Sequence, residues 1–204
     1  MPLRKRPVQQ RSAQRVQRML DACAELVGEV GYEALSTTLV AERAGVAIGS
    51  VYQFFPDKRA IVQALTARNL DVFLEQLQIR FASADLVHWW DGVDAVLDEY
   101  VAMHRQAPSF RSLHFGDVVD VHLLDPHSDN NAVIASRLRG LLVERFAVPD
   151  DDRLGLALAV AVESGDALLK LAFRRDPEGD SVIIAEAKDM LRGYLSRYLP
   201  ETNT

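Results

Sequence analysis

The sequence has a single cysteine among its 204 residues and no long uncharged apolar run. One cysteine, Cys23, excludes an intrachain disulfide, and its position on an apolar helix face predicts a buried thiol, with a redox-sensing thiol as the alternative. The most apolar stretch, residues 154–173, contains Glu163, Asp166 and Lys170, which argues against a membrane span. Because no apolar segment follows the basic start, we expect no signal peptide and a cytoplasmic protein.

Patterns that catalysis or metal binding requires are also missing. There is no nucleophile elbow, no glycine-rich phosphate loop and no HExxH pattern, and carboxylates do not recur at a fixed spacing. A metal site built from His104, His114 and His122 is one alternative, and an all-α enzyme is another, but polar residues lining a pocket explain these histidines more simply. We therefore expect no enzyme activity, no cofactor and no metal.

Charge is divided unevenly along the chain. The whole chain has a net charge of −6. Residues 1–70 contain ten Lys or Arg and six Asp or Glu, for a net charge of +4, whereas residues 71–204 contain 13 basic and 23 acidic residues, for −10. A basic end joined to an acidic body is typical of a protein that presents one end to nucleic acid.

Helical periodicity and the placement of Gly and Pro between periodic stretches predict an all-α fold of about nine helices. The predicted domains are a three-helix domain over residues 1–56, with residues 1–10 as a basic arm, and a helical domain over residues 57–204. A helix-turn-helix motif assigns DNA binding to the first, and a family resemblance together with two apolar helices assigns effector binding and dimerisation to the second. The predicted helices cover residues 12–30, two helices within 36–55, then 57–82, 89–105, a short helix within 110–121, 132–146, 153–174 and 181–199.

The segment STTLVAERAGVAIGSVYQFFPDK, residues 36–58, predicts two short helices joined by a tight turn. The hydroxyl side chains at its start can cap the first helix. Gly45 suits the left-handed conformation at a helix end. The second helix is predicted from Ile48 to Phe55, and Asp57 can cap the helix that follows. This is the helix-turn-helix plan, and a plain helical corner is the alternative.

The exposed face of the second short helix has the small and polar side chains that close approach to a DNA groove requires. We predict that Gly49, Ser50 and Gln53 face base edges, that Tyr52 and Lys58 hold phosphates, and that Thr37 and Thr38 contact DNA near the start of the first helix. Together with their neighbours, the predicted DNA-binding residues are Thr37, Thr38, Ile48, Gly49, Ser50, Tyr52, Gln53, Phe54 and Lys58.

Residues 36–58 resemble the DNA-binding signature of the TetR family of transcriptional repressors. The matching residues are Thr37, Ala41, Ala44, Gly45, Val46, Gly49, Tyr52, Phe55 and Lys58, and the resemblance covers roughly residues 10–65. Ile48 and Phe54 depart from the common forms of that signature. The resemblance implies a homodimer that binds a near-palindromic operator and responds to a small-molecule effector.

The acidic body contains aromatic residues that a pocket between helices could use as walls, with polar residues as anchors. A partly apolar effector is expected, and Asn130, Asn131 and Asp166 are further candidate anchors. The predicted ligand-binding residues are Phe73, Trp89, Tyr100, His104, Phe110, His114, Val118, His122 and Glu163.

The last two predicted helices, the eighth at 153–174 and the ninth at 181–199, are more apolar than one small body can cover. We therefore expect them to seal a homodimer, with a monomer of larger core as the alternative. A helical ligand-binding or interaction module without DNA-binding activity is the alternative function. Absence of salt-dependent DNA affinity would identify that module.

Overall fold

The computed structural model describes residues 6–107, 110 and 130–199, and within those residues the chain forms helices and no strand. The all-α prediction is therefore confirmed. Eight helices are described, and the short helix predicted within 110–121 lies almost wholly outside the described residues. The helices are α1 (Arg6–Ala34), α2 (Thr37–Ala44), α3 (Ile48–Tyr52), α4 (Lys58–Phe81), α5 (Trp89–Gln106), α6 (Asn130–Phe146), α7 (Asp152–Arg175) and α8 (Ser181–Leu195).

Two compact units divide the described residues. The first contains the chain up to Asn69 together with Ala107 and Phe110, and the second contains Leu70–Gln106 and residues 130–199. The division falls within α4, whereas the sequence predicted a domain boundary just before that helix. The predicted boundary between residues 56 and 57 stays a prediction.

The longest helix, α1, differs from its prediction at both ends. It is helical from Arg6, so the predicted helix start at residue 12 is wrong and the basic arm predicted over residues 1–10 joins the helix from Arg6 onward. Pro7 is compatible with this early start, because the first helical turn does not use its backbone N–H groups. Gly31 adopts φ 75° and ψ 169°, so the helix is broken there as predicted, and the residues up to Ala34 form a separate turn.

Ionic contacts join α1 to α2. Arg43 on α2 forms a two-pronged contact with Glu29 at 2.9 and 2.7 Å and a third bond with Glu25 at 3.0 Å. The hydrogen bond from Arg43 lowers the pKa of Glu29, and the hydrogen bonds to Glu29 and Glu25 raise the pKa of Arg43. This two-pronged geometry fixes the orientation of α2 against α1.

The interior of the first unit is apolar. Cys23 is buried, as predicted, and burial raises the pKa of its thiol to about 12. Such a thiol stays protonated and unreactive at neutral pH. Val40 on α2 and Val51 on α3 are fully buried, and Phe55 is almost so, which places one face of each short helix in this interior.

In the second unit α7 lies between α6 and α8, and α5 contacts both α6 and α8. Asp151 caps α7 by accepting a hydrogen bond from the Leu154 backbone N–H at 2.7 Å. Asp180 caps α8 in the same way, accepting from Val182 and Ile183. The neighbouring helices α7 and α8 therefore both begin at a carboxylate cap. No helix within the described residues is long and apolar enough to cross a membrane.

Candidate nucleic-acid interface and ligand cavity

Local bonds shape the turn between α2 and α3. Ser36 is the N-cap of α2, and its hydroxyl accepts from the Leu39 backbone N–H at 3.2 Å. Gly45 ends α2 in the left-handed conformation, at φ 63° and ψ 41°. The Val46 N–H then donates to the Ala41 carbonyl at 3.0 Å, a bond that closes the helix end and redirects the chain into α3.

One face of α3 is exposed and has open space at its glycine. Ile48 is 40% exposed, Gly49 has nothing within 4 Å of the position that a Cβ would take, and Tyr52 is 55% exposed. Gln53, directly after the helix, is also exposed. Ser50 is half-buried, as is Phe54. The opposite face holds the buried Val51, so the interior of the first unit supports α3 from behind.

A hydrogen bond joins the start of α2 to the end of α3. The hydroxyls of Thr37 and Tyr52 lie 3.1 Å apart, and either can donate. Thr38 is exposed beside them. The pair holds Tyr52 in one orientation before any partner arrives, which lowers the entropy that binding through this side chain costs.

Lys58, the first residue of α4, is already engaged. Its Nζ donates to the backbone carbonyls of Tyr32 and Glu33, both at 3.1 Å, and lies 4.6 Å from the centre of the Tyr32 ring. These carbonyls follow the break at Gly31, and the Tyr32 carbonyl also accepts from the Leu35 backbone N–H at 3.2 Å. Lys58 therefore links the end of α1 to the start of α4, which leaves at most one of its three N–H groups for a phosphate.

A row of basic side chains follows the first part of α1. Arg11, Arg15 and Arg18, at helical spacing, border a shallow groove with Gln14 and Gln17. Arg11 and Arg18 are exposed and Arg15 is half-buried. Three guanidinium groups on one helix face can bind successive phosphates of a nucleic-acid backbone.

The second unit contains a cavity of about 50 Å³. Side chains from the second half of α4 and from α5, α6, α7 and α8 surround it, and all but three of them are apolar or glycine. The described lining consists of Phe73, Val93, Val96, Leu97, Tyr100, Asn131, Ile134, Leu138, Ala161, Val162, Gly165, Asp166, Leu169 and Leu191.

The polar groups of the cavity are connected to one another or to charged neighbours. The Tyr100 hydroxyl donates to Oδ1 of Asp166 at 3.0 Å, and Oδ2 of Asp166 lies 2.8 Å from Lys170 Nζ. Asn131 donates from Nδ2 to Oε2 of Glu163 at 3.1 Å. A buried carboxylate is tolerated here because both its oxygens have partners.

The structure brings together part of the predicted ligand-binding set. Phe73 and Tyr100 line the cavity, and Glu163 is exposed but bonds to Asn131 in its wall. Other predicted residues lie elsewhere: Trp89 is buried against His88 and Trp90, His104 stacks on Phe173 with ring centres 3.5 Å apart, and Phe110 is buried in the first unit. Three predicted residues, His114, Val118 and His122, lie outside the described residues.

Sequence reasoning did not single out the aliphatic walls of the cavity. Val93, Leu97, Leu138 and Leu191 carry the same periodic signal as ordinary core residues, and a periodic pattern cannot separate a wall from a filled interior. Gly165 is the exception, because a glycine inside a buried helix is unfavourable unless a neighbour needs the space. That signal could have marked this position.

Two family models match the chain. The model described as "Bacterial regulatory proteins, tetR family" spans residues 19–65, which contain α2 and α3. The model described as "Tetracyclin repressor-like, C-terminal domain" spans residues 87–199, more than half of the chain. The chain therefore belongs to the TetR family of bacterial regulatory proteins.

Known relatives agree with that assignment. A TetR-family transcriptional regulator from Streptomyces coelicolor is 45% identical, its structure superimposes with a TM-score of 0.78, and the match covers 91% of this chain and 99% of that one. The transcriptional repressor KstR of Rhodococcus jostii is 41% identical over 58 residues, 28% of this chain and 27% of that protein. The match thus spans only about a quarter of this curated relative. The regulator FadR from Bacillus subtilis, solved with stearoyl-CoA, shares the fold at 18% identity, with a TM-score of 0.69 over 88% of this chain and 97% of that one.

Proposed function

We propose that this protein is a transcriptional repressor that binds a specific DNA sequence and is controlled by a small-molecule effector. The observation that carries the proposal is the exposed face of α3, where Gly49 and Tyr52 stand on a helix fixed by the capped turn at Gly45. A short helix with small side chains can approach base edges in the major groove. Thr37, Thr38, Ser50 and Gln53 would supply the further polar contacts.

Phosphate contacts in this proposal come from two places. Tyr52, held by Thr37, would contact the backbone beside α3, and the arginine row of α1 would contact it further along. Lys58 contributes mainly by joining α1 to α4, because its ammonium already donates to two carbonyls. Arginine and tyrosine contacts of this kind position a protein on DNA without reading its sequence.

The DNA-binding form would be a homodimer sealed by α7 and α8. Large apolar side chains on these helices are exposed in the single chain, among them Leu156 at 68% and Val182 at 69%. Exposed apolar surface of this kind is typical of a protein interface. A two-fold dimer predicts a near-palindromic operator whose half-sites are about one turn, ~34–36 Å, or a multiple of it apart.

The effector would bind in the cavity of the second unit and shift the protein between conformations that differ in their affinity for the operator. A coupling of about 1–3 kcal/mol would change operator affinity by roughly 5–150-fold. KstR is a transcriptional repressor, which supports the repressor assignment, and FadR is a transcriptional regulator solved with stearoyl-CoA, which supports control by a ligand without identifying that ligand for this chain. Localisation of the protein in the cytoplasm stays a prediction from the sequence.

Selection of binding sites from random duplex DNA, followed by affinity measurements at several salt concentrations, tests the proposal. We expect an enriched near-palindrome and a linear fall of log affinity with log salt, with a slope of about −0.9 for each phosphate contact. Tyr52→Phe should weaken operator binding by about tenfold, because it removes one hydroxyl that meets a phosphate. The matched control is Tyr32→Phe in the same unit, whose described contact uses the ring, and it should bind normally.

Arginine variants complete the test. Arg18→Ala should reduce the magnitude of the salt slope by about one contact, whereas Arg174→Ala, an exposed arginine of α7, should leave the slope unchanged. If no sequence is enriched and the two arginine variants behave alike, the helix-turn-helix has only a structural role. The alternative of a ligand-binding module without DNA-binding activity would then stand.

A further inference from the structure

The polar end of the cavity is built around one buried carboxylate. Asp166 on α7 is 9% exposed, and its two oxygens have different partners. Oδ1 accepts a hydrogen bond from the Tyr100 hydroxyl at 3.0 Å, and Oδ2 forms an ion pair with Lys170 Nζ at 2.8 Å. The position of Asp166 is therefore fixed from two helices, α5 and α7.

This arrangement offers hydrogen-bond acceptors to an occupant. A tyrosine hydroxyl has one proton, and because Tyr100 gives that proton to Asp166, it has no donor to offer an occupant. A carboxylate has about four acceptor sites, more than the one bond to each oxygen uses here. A molecule in the cavity must therefore bring its own donor to this end.

Charge restricts the occupant further. Lys170 already balances the charge of Asp166, so a second cation would compete with Lys170 for the same carboxylate. An anion would be repelled by the carboxylate, beside which Tyr100 has no proton left to donate. Either ion would also lose its hydration against walls that, apart from Asn131 and Gly165, are otherwise aliphatic or aromatic, a large cost without a partner. A neutral donor avoids all three penalties.

The size of the cavity favours a compact molecule. Its volume of about 50 Å³ holds a few waters. A dry cavity of roughly 150 Å³ is known to hold benzene, so a single ring would need the walls to yield here. Space exists beside Gly165, where an added Cβ would lie 3.4 Å from Leu191 and 3.6 Å from Leu97, both of them wall residues. Flexible leucine side chains at this point can move to admit a ring.

We propose that the effector is a compact, neutral alcohol or phenol. Its hydroxyl donates to Asp166 beside Tyr100, and its carbon skeleton lies against the aliphatic wall next to Gly165. This inference rests on the proposed function, because it assigns the chemistry of the effector that the repressor would sense. Gly165 is then a specificity-determining residue, since its missing side chain leaves the space that the skeleton occupies.

Calorimetric titration of the full-length protein with four single-ring probes tests the inference. Phenol carries a neutral donor, toluene has no polar group, benzoate is an anion and benzylamine is a cation at neutral pH. We expect phenol to bind about tenfold more tightly than toluene through its bond to a charged acceptor, and the two ions to show no saturable binding. A parallel pair, 1-propanol against propionate, separates charge from size, and the alcohol alone should bind.

Two variants and one control assign the result to this cavity. Gly165→Ala should weaken phenol binding by at least about tenfold while leaving the melting temperature equal or higher, because the methyl meets its neighbours at ordinary contact distance and alanine favours the helix. Gly140→Ala on α6, where a Cβ meets nothing within 4 Å, is the matched control and should bind phenol normally. Asp166→Asn should abolish the preference for phenol over toluene. If that variant does not fold, Gly165→Ala decides.

Four results overturn the inference: equal binding of phenol and toluene, binding of benzoate or propionate as tight as that of the matching alcohol, unchanged phenol binding in Gly165→Ala, or no binding by any probe. Operator affinity measured on the same protein separates this failure from that of the proposed function. A protein that binds its operator but shows one of these results is a repressor with a different effector. A protein that discriminates the probes as expected but selects no DNA keeps the assigned cavity and loses the repressor assignment.

Discussion

At the residue scale, glycine is used for two different reasons in the helix-turn-helix. Gly45 has φ 63°, a conformation that side chains disfavour whatever space is available, and a Cβ there would meet nothing within 4 Å. Gly49 has no such backbone demand and also has open space around it. The fold therefore requires the first glycine for its backbone conformation. The second glycine instead leaves space for a partner that approaches α3.

Substituting alanine at each position separates these reasons. Gly45→Ala should lower the free energy of unfolding by about 1–2 kcal/mol, the cost of a left-handed alanine. Gly49→Ala should leave it equal or raise it by up to about 1 kcal/mol, because alanine favours a helix, yet should weaken operator binding by placing a methyl on the approaching face. Urea unfolding and operator affinity measure the two effects. Equal destabilisation by both substitutions would contradict this account.

The structure separates the two residues that were predicted to contact phosphates. Tyr52 was predicted to reach a phosphate, and its bond to Thr37 holds it ready to do so. Lys58 was predicted to do the same, but its ammonium faces the carbonyls of Tyr32 and Glu33. No local pattern could show this, because those carbonyls come from a helix end more than twenty residues away in the chain.

At the element scale, the second unit uses one lysine to join two helices. Lys188 on α8 contacts Asp94 at 2.9 Å and Asp98 at 2.6 Å, carboxylates one turn apart on α5. Partial burial, which by itself would lower the pKa of Lys188, is outweighed by the hydrogen bonds to Asp98 and Asp94, so the pKa is raised above 10.5. The charged form of Lys188 therefore stabilises the folded unit.

The sign of this shift defines a pH dependence. Because the pKa is raised on folding, the stabilisation is complete below about pH 10.5 and is lost as pH rises through the folded value. Lys188→Gln should lower the free energy of unfolding by up to about 1 kcal/mol at pH 8, a modest figure since the contact is partly exposed. The difference from the parent protein should shrink as pH rises above 10.5. A difference that is constant across that range in urea unfolding would show that packing, not charge, is responsible.

Helix boundaries show the limits of local signals at this scale. Caps and glycines marked the starts of α2, α4 and α7 to within a residue, since capping chemistry is local. The ends of α4, α5, α6 and α7 also lie within a residue of their predictions. Two ends were predicted too late: the helix predicted to reach Phe55 ends at Tyr52, and the one predicted to reach residue 199 ends at Leu195. A helix end depends on tertiary packing as much as on sequence, and fraying shifts it further.

At the scale of the whole molecule, the apolar surface of α7 and α8 needs a second copy to cover it. Leu156 and Val182 are 68% and 69% exposed in the single chain. Ile79 on α4 is similarly apolar and 60% exposed, but lies outside the proposed interface. This pair of locations allows a controlled test of where the dimer forms.

A carboxylate introduced on α7 or α8 should affect dimerisation differently from one introduced on α4. Leu156→Glu or Val182→Glu should raise the dimer dissociation constant by about 100-fold or more, because an unpaired carboxylate would be buried on association. Ile79→Glu should leave dimerisation unchanged, since the same charge would stay in water. Sedimentation equilibrium of each variant measures the effect. Dissociation of the Ile79→Glu protein alone would place the interface elsewhere and remove the reason for a palindromic operator.

Local chemistry in the sequence determined the all-α fold, the turn at Gly45 and the exposed face of α3, because caps, glycine conformations and helical periodicity act over a few residues. It also carried the resemblance to the TetR family, which the two family models confirm. Only the tertiary structure decided that Lys58 bonds to the end of α1 and that Tyr100, Asp166 and Gly165 meet at one cavity. Tyr100 comes from α5, whereas Asp166 and Gly165 come from α7, and their meeting depends on how side chains far apart in the chain fill a shared interior.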